Sequence, residues 1–489
     1  MRKTIRFLTF LLTTLMLLQI VCSCKKKTPA PVDIQTNPVG DESLLEAVSY
    51  DRDIHFMTFG YDVGTLSSID DLYGDYNGNV MERAVFQRNA IIEEKYDVSL
   101  ISKNVMRQKV VDEARLDQSS GENYYNLLLI PTANAISCGI EGFVENIYNI
   151  PHLDLTQSYW YTDYCESTQI LEKNFFIIGD MNYTAWTNSY CIYFNEDIAT
   201  NWQIDPDEIY DLVRNGEWTF EKFAEYSSNV YVDSDGVEGK TVYDTYGFYS
   251  NSSCVDAFLA GADMRFVTRG EQGKFIISFS EQFYSFYEQL CDLAQSASSI
   301  YSDTEPFAGI DRNAFPNAFV DNRAMFACSA LPKGDTSLRN VTFKYTFIPL
   351  PKYDESQQKY YSWLHQYNSS SISYMKNGQD FDMLGRITED MAFYSRKHVR
   401  PAYYERLLEN YLAYAPIFVE MLNYCIGSYS IDMASVLAED ISLLSGAGGV
   451  IRSAVNANSN ISNILKRHTA SYQTKLDEIW TKVSKLPSQ

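Results

Sequence analysis

The stretch that most constrains this chain runs from Arg52 to Pro131, where the spacing of apolar residues switches repeatedly between a strand period and a helix period. The run RDIHFMTF, Arg52 to Phe59, reads as a strand, and Gly60, Tyr61, Asp62 and Gly64 follow as a loop. From Met81 to Tyr96 the apolar residues Ala84, Val85, Ile91, Ile92 and Tyr96 recur near helical spacing, and Asp97 to Ile101 then reads as a second strand. A further helix, Lys109 to Gln118, leads through Gly121 into Tyr125 to Ile130. That last run is almost continuously apolar, as a parallel strand covered on both faces must be, and Pro131-Thr132 ends it. The spacing therefore predicts βαβ units on a parallel sheet.

Alternation continues downstream. Phe175 to Ile178 and Cys191 to Phe194 are expected as strands flanking a polar, aromatic loop. Asp205-Pro206 opens a helix that Gly216 should stop, and Thr219 caps another through about Ser228. The C-terminal part reads as mainly helical, with Tyr472, Leu476, Ile479, Trp480 and Val483 on one stripe. With 489 residues, more than one lobe is expected.

Several chemistries are excluded or left without support. A formal charge of -23 would repel phosphate backbones and anionic lipid, which argues against nucleic acid as a partner. The five histidines are scattered and form no metal-like pair, so no metal site is expected. No nucleophile, phosphate-loop or dinucleotide motif is present; Gly446 to Gly449 reads as a flexible loop, and no cofactor is implied. Asp233-Ser234-Asp235-Gly236 is similar to the middle of a calcium loop, but Tyr231 and Val242 stand where its end ligands should be, so a turn is expected. No two of Cys138, Cys165, Cys191, Cys254, Cys291, Cys328 and Cys425 are close in sequence; they are expected as buried apolar groups, with room for a bridge or two.

The N-terminus suggests a location. Arg2, Lys3 and Arg6 precede an apolar stretch from Phe7 to Val21, which reads as an export signal over residues 1–23. Val21-Cys22-Ser23-Cys24 resembles the lipobox of bacterial lipoproteins, in which the final cysteine carries the lipid; Cys24 would hold the protein at the extracytoplasmic face of the cell membrane, its one attachment there. Residues 24–50 would act as a tether.

Aromatic residues are abundant, with 37 Tyr, 27 Phe and 6 Trp, and three stretches mix rings with short polar groups: Ser158 to Tyr161, Asp180 to Tyr190 and Ser362 to Asn368. Sugars require that mixture. Their C–H faces stack on rings while their hydroxyls donate to Asp and Asn oxygens and accept from amides.

Further segments carry a resemblance to a family. Cys191 to Ile198, Tyr210 to Thr219, Tyr243 to Phe248, Phe319 to Phe326, Phe347 to Asp354 and Val399 to Tyr404 resemble, in that order, segments of the extracellular solute-binding proteins of family 1, the lipid-anchored receptors of ABC sugar importers in Gram-positive bacteria. Asn322 stands where that family usually has Gly. The resemblance implies an α/β, two-lobed, periplasmic-binding-protein-like fold of type II with a ligand cleft between the lobes. Crossings near 180–190, 343–351 and 415 would give a first lobe of residues 51–180 and 346–415 and a second of 181–345 and 416–489. Tyr61, Asp62, Thr132 and Trp160 would then lie at strand ends, with Asp180, Trp186, Asn188 and Tyr190 near the first crossing and Trp363 joining them as ligand-binding residues. The implied activity is non-enzymatic capture of a carbohydrate, an oligosaccharide, by a monomer that delivers it to ABC permease subunits. An exported glycan hydrolase and a surface adhesion or scaffold lipoprotein are the alternatives. Halves fused without a groove, or indoles of Trp186 and Trp363 both sealed in interior packing, would bring this receptor reading down.

Overall fold

The computed structural model describes residues 40, 43–60, 67–301, 316–410, 415–437, 441–444 and 449–487. The signal segment, Cys24, the candidate ligand residues Tyr61 and Asp62, and most of the Gly446 to Gly449 loop lie outside the described residues.

Strand β1 (Arg52–Gly60), helix α1 (Val80–Tyr96), strand β2 (Val98–Met106), helix α2 (Val110–Ser120) and strand β3 (Leu127–Pro131) follow one another as the spacing predicts, and helix α3 (Thr132–Ile140), which it does not predict, follows β3 directly. Local chemistry fixes the ends of α1. The Asn79 side chain accepts from the Met81 and Glu82 amides while Glu82 accepts from the Asn79 amide, a reciprocal cap; Asp97, at φ 50°, turns the chain into β2. Strand β1 is central, parallel to β2 on one side and to β3 on the other, with Phe56 beside both Ser102 and Leu127. Its Ile54, Phe56 and Met57 and all of Leu127 to Ile130 are buried, as expected for a strand covered on both faces.

The second sheet is mixed. Its strands are β4 (Tyr190–Asn195), β5 (Tyr231–Val232), β6 (Thr245–Ser250), β7 (Ser299–Tyr301), β8 (Ala324–Ala330) and β9 (Tyr345–Ile348), in the order β9-β4-β8-β6-β5 with β7 also paired to β6. Strand β4 runs antiparallel to both β8 and β9, whereas β6 and β8 are parallel. Strand β10 (Ser370–Tyr374) then returns to the first sheet, antiparallel to β3, giving the order β10-β3-β1-β2. Helices α4 (Phe381–Tyr394), α5 (Arg400–Asn410), α6 (Ala415–Cys425) and α7 (Ile461–Ser484) complete the chain. Among the described residues no helix is long and apolar enough to cross a membrane.

Three expectations need correction. Residues 346–348, assigned from the resemblance to the first lobe, belong to β9 and pair with β4, so the chain leaves the second sheet only after Ile348. Phe175 to Ile178 is not a strand: it touches β10 through a single bridge, Ile177 to Ile372, and its apolar side chains serve packing. The end of the expected tether is tied down, Tyr50 donating its amide to the Tyr96 carbonyl (2.9 Å) and Ser43 its hydroxyl to Asp390. Cys138, Cys165, Cys191, Cys254, Cys291, Cys328 and Cys425 are buried, as expected of apolar groups, and all are free, so the bridges left open from the sequence are not formed. Asn322, in the place of a family glycine, adopts φ 57°, a conformation Asn tolerates better than most residues.

A two-stranded ribbon, Val267–Arg269 with Phe275–Ile277, stands apart from both sheets. Helix α7 runs along it, Gln473 bonding the backbone of Phe275 and Ile277, while Leu486 beyond its end lies against Gly142. From the ribbon, Arg269 donates to the carbonyls of Glu166, Ser167 and Gln169 at 2.9, 3.2 and 3.0 Å.

Candidate functional site

The segment carrying Ser158 to Tyr161 folds against the one carrying Asp180. The Tyr161 amide donates to the Ile178 carbonyl and the Asp180 amide to the Tyr159 carbonyl, each at 2.9 Å. The Trp160 ring covers Gly179 so closely that a Cβ there would fall 2.4 Å from it. Only glycine lets these two strands of chain approach, and their approach fixes the Asp180 carboxylate.

The opposing groups come from one helical rod. Between α4 and α5 lies a π-helical turn, Ser395–Val399, and Pro401, which lacks an amide N–H, follows immediately. Arg396 and Arg400, four residues apart, share a face of that rod. Both reach Asp180: Arg396 through its Nε to Oδ2, and Arg400 through Nη1 to Oδ1 at 3.1 Å. The Arg400 Nη1 also donates to the Tyr161 hydroxyl (2.9 Å), which itself donates to Asp180 Oδ1 at 2.6 Å. Arg396 donates further to the Ser158 carbonyl. Underneath, the Trp186 ring centre lies 5.3 Å from the Arg400 guanidinium carbon.

Asp180 is sealed from solvent, and Arg396 and Arg400 are almost so. Burial works against the Arg400 charge, but Tyr161 and Asp180 beside it outweigh that effect and hold it well above its ordinary value. Burial, and then the Asp180 charge, push the Tyr161 hydroxyl well above the usual tyrosine range, so it remains a donor. Arg400 thus stays charged and the Tyr161 hydroxyl neutral.

Over this cluster opens a pocket of about 310 Å³. One wall is Ser158 and Trp160 to Tyr164 with Arg396 and Arg400; the other is the end of α6 and the loop after it, including Asn423, Gly427 and Tyr429. The Tyr429 ring centre lies 5.3 Å from that of Tyr161 and 6.4 Å from that of Tyr164. The Tyr164 hydroxyl faces Thr132, at the carboxyl end of β3, and Ser189, just before β4, reaches the Tyr429 hydroxyl at 3.4 Å. Residues from the ends of both sheets therefore meet here, where open α/β sheets hold ligands.

The candidates drawn from the resemblance are distributed unevenly around this pocket. Trp160 lines it and donates its indole N–H to Glu389 at 2.9 Å. Asp180 lies beneath it, already engaged by two guanidinium groups. Thr132 bonds the Gln366 carbonyl at 3.1 Å, and burial together with the neighbouring Cys328 raises the Tyr190 hydroxyl above its usual range. Asn188 is buried with its Nδ2 lacking a partner. The indoles of Trp186 and Trp363 are 0% and 2% exposed: Trp186 packs edge-on against Tyr403, and Trp363 lies between Tyr190 and His365. Both are in interior packing and offer no open face. Tyr164, Arg396, Arg400 and Tyr429 are not among the expected residues; Arg396 and Arg400 sit in the polar run Ser395-Arg396-Lys397-His398-Val399-Arg400, where nothing but their four-residue spacing sets them apart.

In the Asp233 turn, carboxylate oxygens of Asp233, Asp235 and Asp244 lie within 4.8 Å of one another. Each is taken up by the turn itself: Asp233 accepts from the Gly236 amide, Asp235 from the Val237 amide, and Asp244 from those of Ser234 and Thr241.

No family model matches the chain, and no curated protein matches it in sequence. Solved structures do match its fold. UspC of M. tuberculosis aligns with a TM-score of 0.56 at 12% identity, covering 86% of this chain and 100% of that one. The cyclic α-maltosyl-1,6-maltose binding protein of Arthrobacter globiformis gives 0.56 at 12% identity, with 87% and 99% covered. The sugar-binding protein MalE of Xanthomonas citri gives 0.52 at 10% identity, with 88% and 98% covered. The chain has the two-lobed α/β fold of these three structures.

Proposed function

We propose that the chain is a non-enzymatic extracytoplasmic solute-binding protein, anchored through Cys24, that captures a carbohydrate between its lobes and delivers it to the permease subunits of an ABC transporter. The first lobe would comprise residues 51–180 and the stretch from Pro349 to about 415, the second the remainder of the body. One observation carries the reading: the pocket is walled by Trp160, Tyr161 and Tyr164 on one side and by Tyr429 on the other, with amide and hydroxyl groups between the rings, and the division above would place these walls in different lobes. A ligand touching both walls binds the closed form better than the open one, and that difference in affinity drives closure. The fold supports the reading, since its solved examples include the sugar-binding proteins of A. globiformis and X. citri. At about 310 Å³ the pocket is at the small end for ligand sites, so it would hold only a sugar ring or two of an oligosaccharide.

Trp186 and Trp363 are both buried, the outcome set against the receptor reading, so the reading in which sugar stacks on them is given up and the proposal rests instead on the fold and on the tyrosine-lined pocket. Their part is to support Arg400 and Tyr190. Isothermal titration with mono- and oligosaccharides tests the proposal: binding of at least one sugar, weakened at least tenfold by Tyr429→Ala, is the expected result, a loss of about 1.4 kcal/mol. If no sugar releases heat or raises the melting temperature, the reading fails. Turnover of a labelled oligosaccharide would instead favour the hydrolase.

A further inference from the structure

Among the described residues, three arginines are buried: Arg88, Arg396 and Arg400. Two of the three line one pocket, in a chain whose formal charge is -23. Moving a guanidinium out of water is costly unless an opposite charge and a full set of hydrogen bonds compensate it. Asp180 supplies one carboxylate to both. The other acid in the pocket wall, Asp163, has a side chain that is 80% exposed and leans toward Lys359 at 3.6 Å, so it does not offset the buried charge.

Arg400 shows where a hydrogen bond is missing. Its Nη1 is committed to Asp180 and Tyr161, yet its Nε is sealed from water and has no hydrogen-bond partner. The residue is 6% exposed and lines the pocket. Trp186 beneath and Tyr161 beside it hold the guanidinium in place, so its fork of donors is oriented before any ligand arrives. An acidic protein body repels anions at long range, so a pocket of this kind selects for them only through close contact.

We propose that the captured carbohydrate carries an anionic group, and that its oxygens are bound at the Arg400 guanidinium, with Arg396 adding charge. This rests on the receptor reading above and names its substrate class. A carboxylate, a sulfate ester and a phosphate ester share the required chemistry, two oxygens spaced to meet a guanidinium edge. A neutral hydroxyl would meet the same N–H groups but leave the charge uncompensated.

The test compares matched sugars on the full chain by isothermal titration: glucose with glucuronate, galactose with galacturonate, the corresponding disaccharides, and glucose 6-sulfate with glucose 6-phosphate. At least one anionic sugar is expected to bind about tenfold or more tighter than its neutral counterpart, with the advantage shrinking between about 0.02 and about 0.5 M salt. The ester arms separate carboxylate from sulfate or phosphate as the preferred group. Arg400→Lys keeps the charge and removes the Nε, and is expected to abolish most of the preference. If that variant does not fold, the comparison on the unaltered chain still decides. Neutral sugars binding as tightly as their anionic counterparts would overturn this inference and leave the receptor reading standing; no binding by either class would remove both.

Discussion

Asp180→Asn is the most informative perturbation of the body itself. The carboxylate is fully buried and bonds three groups, the Arg396 and Arg400 guanidiniums and the Tyr161 hydroxyl. An amide keeps the shape but loses the negative charge, leaving two buried cations without a counter-charge. Breaking a buried ion pair by removing one partner costs about 3–5 kcal/mol, and because both arginines are almost wholly buried, solvent screening hardly reduces that figure. At about 2–4 °C per kcal/mol for a domain of this order, the melting temperature should fall by on the order of 10 °C. Calorimetry on the unaltered chain, Asp180→Asn, Arg396→Gln and the double variant closes a thermodynamic cycle. The double variant should be less damaged than the sum of the single ones, with a coupling of at least about 1.5 kcal/mol. A loss below about 1 kcal/mol for Asp180→Asn, or additivity in the cycle, would show that water reaches the cluster and would refute the argument.

Three other outcomes follow from local geometry. In Gly247→Ala the new Cβ would lie 1.8 Å from the Ser227 carbonyl oxygen, which cannot yield without moving the backbone, so β6 must shift and soluble yield or melting temperature should drop by the equivalent of about 3 kcal/mol; an unchanged melt would contradict the packing. Burial pushes the Asp71 carboxyl up to about 7, against the opposing pull of Thr184, Ser370 and Arg88. A folded-state value above the unfolded one means that this group's stabilisation is complete below about pH 4 and lost as pH rises toward 7, so unfolding of Asp71→Asn should show a pH dependence flatter by about 3–4 kcal/mol over that window; parallel curves would disprove it. The thiols from Cys138 to Cys425 are buried, Cys138 and Cys165 pushed up to about 12 by that burial, so a thiol reagent should label none of them in the native chain and all of them after denaturation; native labelling, or a melt lowered by reductant, would count against it.

Much of the first sheet could be read from the chain because its signals are local: the apolar run of β3, the cap at Asn79 and the turn at Gly121 each act within a few residues. Phe175 to Ile178 shows the limit. Its composition is that of a strand, but strand pairing depends on what lies alongside, and only Ile177 finds a partner in β10. The candidate site was harder still. A ring next to an Asn reads the same whether it meets a ligand or a neighbouring helix, and Trp186 and Trp363 proved to be of the second kind. Arg400 could not be identified beforehand because its meaning depends on Asp180, 220 positions away in sequence. Tyr429 follows a helix end with no distinguishing pattern, and only the meeting of its ring with Tyr161 and Tyr164 marks it.

The grip of Arg269 on the carbonyls of Glu166, Ser167 and Gln169 has a consequence for how such a body would work. It ties the ribbon to the stretch of chain just beyond the pocket wall of Trp160 to Tyr164. Should the two lie in different lobes, as the proposed division would have them, any swing apart must first break these three bonds, and Arg269→Ala would ease it.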